Sequence, residues 1–293
     1  MKDGSFKLRF LCLFHRPSAW REIPLESGNQ KGMVLLMEAT TLTPKPNGRL
    51  NLLDELRGFC LVLMIVYHAI YDIEAIFGMR IPFFLNLDTL SPVEPFFAGI
   101  FIAISGFVCS YSHSNLVRGA KLLAVALGLT VVTRLLSADL AIYFGVLHFL
   151  ACAMILFALL APILRKIPPA VLIPVNAALF LLTWNLPVGY LGFGPLSIHL
   201  PTSFYSTPFL FPIGLPNLQF YSTDYFPLFP WIFLFLGAYG VSVLFQKHPL
   251  KWVEKGAGIR PLSFLGRHSL LIYLIHQPAI MAIFYAIDFL RKL

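Results

Sequence analysis

The residues best suited to chemistry share one apolar stretch, Leu52-Leu-Asp-Glu-Leu-Arg-Gly-Phe-Cys-Leu-Val-Leu-Met-Ile-Val-Tyr-His68-Ala-Ile-Tyr-Asp72. Asp54 and Arg57 are three apart on one helical face and can pair. His68 follows Arg57 by eleven residues, roughly 16 Å along a helix, and Asp72 stands one turn further on. An ionisable group inside a membrane span costs at least ~2.5 kcal/mol, so each one asks for a reason. A carboxylate at i+4 can accept a hydrogen bond from one imidazole nitrogen, which fixes the tautomer and makes the other nitrogen more basic. A general base or an acyl-accepting histidine needs that arrangement. The competing reading is a histidine that bonds a neighbouring helix.

Other polar groups carry weaker signals. His148 lies in Tyr-Phe-Gly-Val-Leu-His and His276 precedes Gln277 and Pro278. Proline frees a backbone carbonyl one turn before it, so His276 is as well explained by backbone repair as by acceptor chemistry. Asp224 opens Asp-Tyr-Phe-Pro-Leu-Phe-Pro-Trp231, where it would either bind an acceptor or cap a helix. Arg118 and Lys121, one turn apart, and Arg267 with His268 can join Arg57 in holding phosphates; ordinary snorkelling explains any single one of them. Cys60, Cys109 and Cys152 lie in apolar runs and Cys12 near the N-terminus, without metal-ligand spacing. Neither a bound cofactor nor a metal is expected. No Walker loop, Rossmann glycine pattern, zinc signature or Gly-x-Ser-x-Gly elbow is present.

The elements that must position these groups are set by composition. The 293 residues are 58% apolar, 15% aromatic and only 12% charged, against about 25% charged in a soluble domain, and mean hydropathy is +0.77. This pattern predicts an all-α integral membrane protein of about seven transmembrane helices in one bundle, over residues 57–77, 93–112, 119–136, 142–164, 169–186, 227–246 and 264–289. With the N-terminus cytoplasmic, 18 of the 22 Lys and Arg fall inside, and only Arg80, Arg134, Arg291 and Lys292 fall outside. The basic excess of +8 is thus a topology signal and a possible seat for a polyanion; a nucleic-acid partner is not expected.

Residues 1–48 contain no span of ~20 apolar residues and are expected to form a poorly ordered cytoplasmic tail, with Met33 and Met37 as alternative starts. Residues 49–293 form the membrane domain. Its long outer loop, 187–225, holds six prolines, four glycines and nine aromatics and no Lys or Arg. It reads either as a substrate lid, with rings to stack on a sugar, or as an interfacial segment anchored by its aromatics.

From Leu53-Asp-Glu-Leu-Arg-Gly-Phe through His68 the chain resembles the opening span of the heparan-alpha-glucosaminide N-acetyltransferase catalytic-domain family in its small prokaryotic form. The resemblance continues through Phe101-Ile-Ala-Ile-Ser-Gly-Phe107, Ile142-Tyr-Phe-Gly-Val-Leu-His148, Asp224 to Trp231 and Gly266-Arg-His-Ser-Leu-Leu-Ile-Tyr-Leu-Ile-His-Gln-Pro278, and covers roughly residues 49–290. It implies a multi-pass acyltransferase, in which cytoplasmic acetyl-CoA is the co-substrate and a sugar or glycan on the other face is the acceptor. The first span is also similar to that of membrane O-acyltransferases of bacterial surface polysaccharides, which implies essential roles for Arg57 and His68. Arg118 and Lys121 stand where that second family has two arginines. Lysosomal members of the first family have Asn at the His68 position and their catalytic His in the next outer loop; residues 78–91 here contain no His. Either His68 takes over that role or the acceptor differs.

The expectation is therefore a transmembrane N- or O-acetyltransferase, with His68, Asp72 and Arg57 catalytic, Arg118, Lys121, Arg267 and His268 on the donor, and His148, Asp224 and His276 on the acceptor or secondary. Its setting would be a bacterial inner membrane, as a monomer or homo-oligomer. The alternative is a proton-coupled transporter with a His/Asp relay, against which stands the absence of a repeat between the halves.

Overall fold

The computed structural model describes residues 50–78, 86–90, 92–112 and 114–292. The expected tail over 1–48, Arg80 and most of the 78–91 loop lie outside these. The chain folds into helices α1 (Asn51–Tyr71), α2 (Glu94–Cys109), α3 (Asn115–Leu136), α4 (Val146–Leu164), α5 (Pro169–Thr183), α6 (Leu228–Lys247), α7 (Arg260–Arg267) and α8 (Ser269–Lys292). Among the described residues six helical segments, α2 and α7 aside, are long and apolar enough to cross a membrane, and α2 is a shorter apolar helix where the second span is expected. Large apolar side chains such as Leu135, Leu159 and Phe289 point outward, as they do when lipid is the solvent. The last expected span, 264–289, is broken at His268: α7 ends there and α8 begins anew.

Helices α4 and α6 form the centre. Phe149, Phe157, Trp231, Phe235 and Tyr239 are buried between them, with the Phe157 and Tyr239 rings 4.8 Å apart. Helix α1 packs on α2, α7 and α8, α3 on α4, and α5 and α2 on α6. Two of these contacts bring backbones together where only glycine fits. A β-carbon on Gly58 would fall on the carbonyl of Leu262 in α7, and one on Gly266 on the carbonyl of Asp54 in α1. Gly106 meets the carbonyl of Phe235 in the same way, joining α2 to α6. The glycines of the Arg-Gly-Phe, Ser-Gly-Phe and Gly-Arg-His blocks are therefore packing residues.

Glu55 completes the α1–α7 junction. Its buried carboxylate accepts the backbone N–H groups of Ala257, Gly258 and Ile259 at 2.7, 2.9 and 3.1 Å, which satisfies both the buried charge and the approach to α7. Gly256 and Gly258 supply positive φ angles of 70° and 83° in this turn.

The 187–225 loop is built of short turns and a two-residue hairpin, β1 (Tyr190–Leu191) on β2 (Ile198–His199). Phe211 and Phe220 stack at 4.6 Å, with Tyr225 against Phe220. Its last residues are strapped to the segment before α4, Phe226 N–H donating to the Phe144 carbonyl at 2.9 Å.

Valine at Gly58 or Gly106 is expected to lower stability by about 1–3 kcal/mol, whereas valine at Gly128, around which nothing lies within 4 Å, leaves the unfolding midpoint in detergent unchanged. Equal midpoints in all three variants would contradict the packing assignment.

Candidate active site

A cavity of about 280 Å³ opens among α1, α2, α6, α8 and the end of the loop. Cys60, Leu61, Met64, Tyr67, His68 and Tyr71 line it from a single face of α1, since side chains three, four and seven apart share a side. That face begins one turn beyond Arg57. Glu94, Asp224, Tyr225 and Tyr273 provide polar atoms on the other walls, and Phe97, Phe101, Phe226 and Trp231 the apolar ones.

His68 is on the cavity wall, but its orientation has a different cause from the one its spacing suggests. Its Nδ1 lies 2.9 Å from the Met64 carbonyl. A carbonyl only accepts, so Nδ1 carries the hydrogen and Nε2 keeps its lone pair. The expected Asp72–His68 hydrogen bond is not made. Asp72 is fully buried, and both its oxygens accept from Gln277 Nε2 on α8, at 2.9 and 3.0 Å. Its influence on His68 is electrostatic. The helix widens into a π turn at Asp72–Ile76, a feature frequent at functional sites.

Asp224 caps a helix, though not the one it precedes. Its Oδ2 accepts from the backbone N–H of Val146 at 3.0 Å, at the start of α4, and from the Tyr273 hydroxyl at 2.8 Å. Gly145 has no β-carbon because Asp224 occupies that space. Burial pushes the Asp224 carboxyl above the usual range, while Tyr273, the Val146 amide and the nearby His68 pull it down. Asp224 thus faces the cavity and fixes α4 at once.

Both ring nitrogens of His148 are committed in this geometry. The Gly145 N–H donates to Nδ1 at 3.3 Å, and Nε2 lies 3.0 Å from the Thr130 hydroxyl, which itself donates to the Ile142 carbonyl at 2.6 Å. The imidazole closes the first turn of α4 onto α3. His276 directs Nδ1 to the Tyr273 carbonyl at 2.6 Å, one residue before the Leu274 carbonyl that Pro278 frees, and its ring lies 4.9 Å from that of His68.

Of the basic groups, Arg57 and Arg267 are brought together on Asp54, at 3.7 and 3.8 Å. Arg118 is close enough to Arg57 for charge interaction. Lys121 is exposed one turn along α3, and His268, also exposed, turns Nδ1 to the Phe264 carbonyl at 2.9 Å. Among the described residues no cluster of three or more His, Cys, Asp or Glu fit to hold a metal is found. Sequence reasoning passed over Glu94, Tyr273 and Gln277. For Glu94 the signal was available, an acid at the start of an apolar span; the roles of Tyr273 and Gln277 depend on which helix faces them.

A double-mutant cycle separates the two possible partners of Asp72. Asp72→Asn and Gln277→Leu are expected to couple by about 1–3 kcal/mol in unfolding measurements, and Asp72→Asn with His68→Ala by clearly less. The reverse order would restore the histidine–aspartate pair.

No curated protein and no solved structure matches the chain. The family model described as heparan-alpha-glucosaminide N-acetyltransferase, catalytic, matches residues 49–278, most of the chain, and includes α1 to α7, the cavity wall and both histidines of the His68–His276 contact. The chain belongs to that family.

Proposed function

We propose that the protein is a membrane acyltransferase that passes an acetyl group from acetyl-CoA, presented at the Arg57 end, to a sugar or glycan hydroxyl or amine arriving from the opposite side. The observation that carries this reading is His68: its Nδ1 is held by the Met64 carbonyl, and its ring lies on the wall of the cavity. A fixed tautomer with a basic Nε2 is what removal of a proton from an attacking hydroxyl or amine requires.

Size supports a divided ligand. At about 280 Å³ the cavity is near the lower end of ligand pockets, which start at about 300 Å³. It has room for an acyl end and a small ring, not for a nucleotide. The CoA phosphates would remain at Arg57, Arg118 and Arg267, where guanidinium forks suit them, and the pantetheine arm would follow the α1 face from Cys60 past Met64 to His68. The aromatic wall of Tyr67, Phe97, Phe101 and Trp231 would face a sugar ring.

In this scheme the acceptor oxygen or nitrogen bonds to the acyl carbon as His68 Nε2 takes its proton. The carbon–sulfur bond breaks and sulfur leaves with the electron pair, then recovers the proton as a thiol. Asp224, tied by two donors, and Glu94 hold the acceptor's remaining polar hydrogens. The cytoplasmic position of the Arg57 end follows from the distribution of basic residues.

Transfer of label from acetyl-CoA to a sugar acceptor, or to water, is expected to fall at least about a hundredfold in His68→Ala. In Arg267→Ala the KM for acetyl-CoA is expected to rise about tenfold with a smaller change in kcat. Full activity of His68→Ala would overturn the site, and an unchanged KM in Arg267→Ala the donor position.

A further inference from the structure

Two imidazoles meet behind the cavity with the same distribution of hydrogens. Both His68 and His276 give Nδ1–H to a backbone carbonyl, of Met64 at 2.9 Å and of Tyr273 at 2.6 Å, so both neutral rings carry a lone pair on Nε2. Their centroids are 4.9 Å apart and the planes nearly perpendicular, at 84°. The His276 Nε2 is buried and has no hydrogen-bond partner among the described residues. A buried acceptor left unmet is costly, and this one is maintained beside the ring that is to become positive.

The neighbouring contact holds it there. Gln277, next along α8, gives its amide hydrogens to both oxygens of the fully buried Asp72, which clasps α8 to α1 one residue from His276. The charged and titratable groups around the pair are Asp72 on the π turn, Asp224 at the loop end, Glu94 at the start of α2, Tyr273 on α8 and Tyr67 and Tyr71 on α1. No Lys or Arg lines the cavity. A positive charge formed on this pair during the reaction would therefore meet acids and phenols rather than cations.

We propose that His276 is a positioning residue for His68: its Nε2 lone pair, on a ring whose centre lies 4.9 Å away, stabilises through its charge distribution the imidazolium formed when His68 takes the acceptor's proton. The inference rests on the acyltransferase reading of the site. The proton leaves the acceptor as its oxygen or nitrogen bonds to the acyl carbon. It stays on His68 Nε2 beside His276 while the carbon–sulfur bond breaks, and then passes to the departing thiolate sulfur to give the free thiol of CoA. The Asp72–Gln277 clasp keeps the rings in register, a different duty from the direct pairing that the His68–Asp72 spacing suggests.

Two full-length variants test this, His276→Phe, which keeps ring volume without a lone pair, and His276→Gln, which restores an acceptor oxygen. In His276→Phe, kcat is expected to fall about a hundredfold while the KM for acetyl-CoA moves less than about threefold. A second readout needs no acyl transfer: carbethoxylation of His68 by diethyl pyrocarbonate at about pH 6, followed by peptide mass spectrometry. It is expected to run about tenfold faster in His276→Phe, because the lone pair that stabilises the unreactive imidazolium of His68 is removed, and to return toward the wild-type rate in His276→Gln. Wild-type kcat and carbethoxylation in both variants would overturn the proposal, as would a loss of kcat with carbethoxylation unchanged. A carbethoxylation change in a protein that transfers no acetyl group would leave the histidine pair standing and remove the acyltransferase reading.

Discussion

A buried carboxylate, Glu55, accepts three consecutive backbone N–H groups from the turn that leads into α7, and the arrangement of the site follows from that junction. A buried carboxylate without donors is costly, so α1 needs the turn that supplies them to Glu55. Gly58 and Gly266 let the two backbones touch. Arg267 is thereby delivered to Asp54 beside Arg57, and α8 starts from a fixed point. Because α8 leaves the junction in the same direction as α1, His276 comes to rest against His68 and Gln277 against Asp72. Arg57, Arg267, His68 and His276 are thus placed by one contact between two helices.

Polar groups are few in this protein, and the site uses them more than once. Asp224 begins α4, receives the Tyr273 hydroxyl and faces the cavity. His148 closes the same helix start and links α3 to the segment before α4 through Thr130. Each such group answers for its own cost by satisfying backbone atoms that lipid cannot. Acids and histidines surround the cavity, while the arginines gather at the Arg57 end. That separation suits a reaction in which a polyanionic donor docks at one end and a proton moves at the other, since low dielectric strengthens both interactions.

Much of this was legible from residue types and spacing. The apolar runs announced the membrane helices, because twenty apolar residues in line have few other uses, and His68 stood out as an imidazole that lipid makes costly. The matched blocks gave the family. What could not be read was which helix faces which. The i+4 spacing of His68 and Asp72 permits a hydrogen bond, yet Met64 one turn back and Gln277 on α8 take both groups. Asp224 precedes α6 but caps α4, a partner 78 positions away in sequence. Glu55 was passed over because a carboxylate next to Asp54 reads as a helix-end charge until the turn at 256–259 is seen folded over it. The break at His268 was hidden by apolar residues that continue on both sides of it.

The central claim is that one ligand spans the two ends, with its phosphates among Arg57, Arg118 and Arg267 and its reactive carbon at His68. A cryo-electron microscopy structure of the protein with a non-hydrolysable acetyl-CoA thioether analogue tests it most directly. The expected result is density running along the Cys60–Met64 face, with the carbon that replaces the acyl carbonyl within about 4 Å of where an acceptor atom would meet His68 Nε2. An analogue bound with its acyl end outside the cavity, or at a site remote from His68, would contradict it.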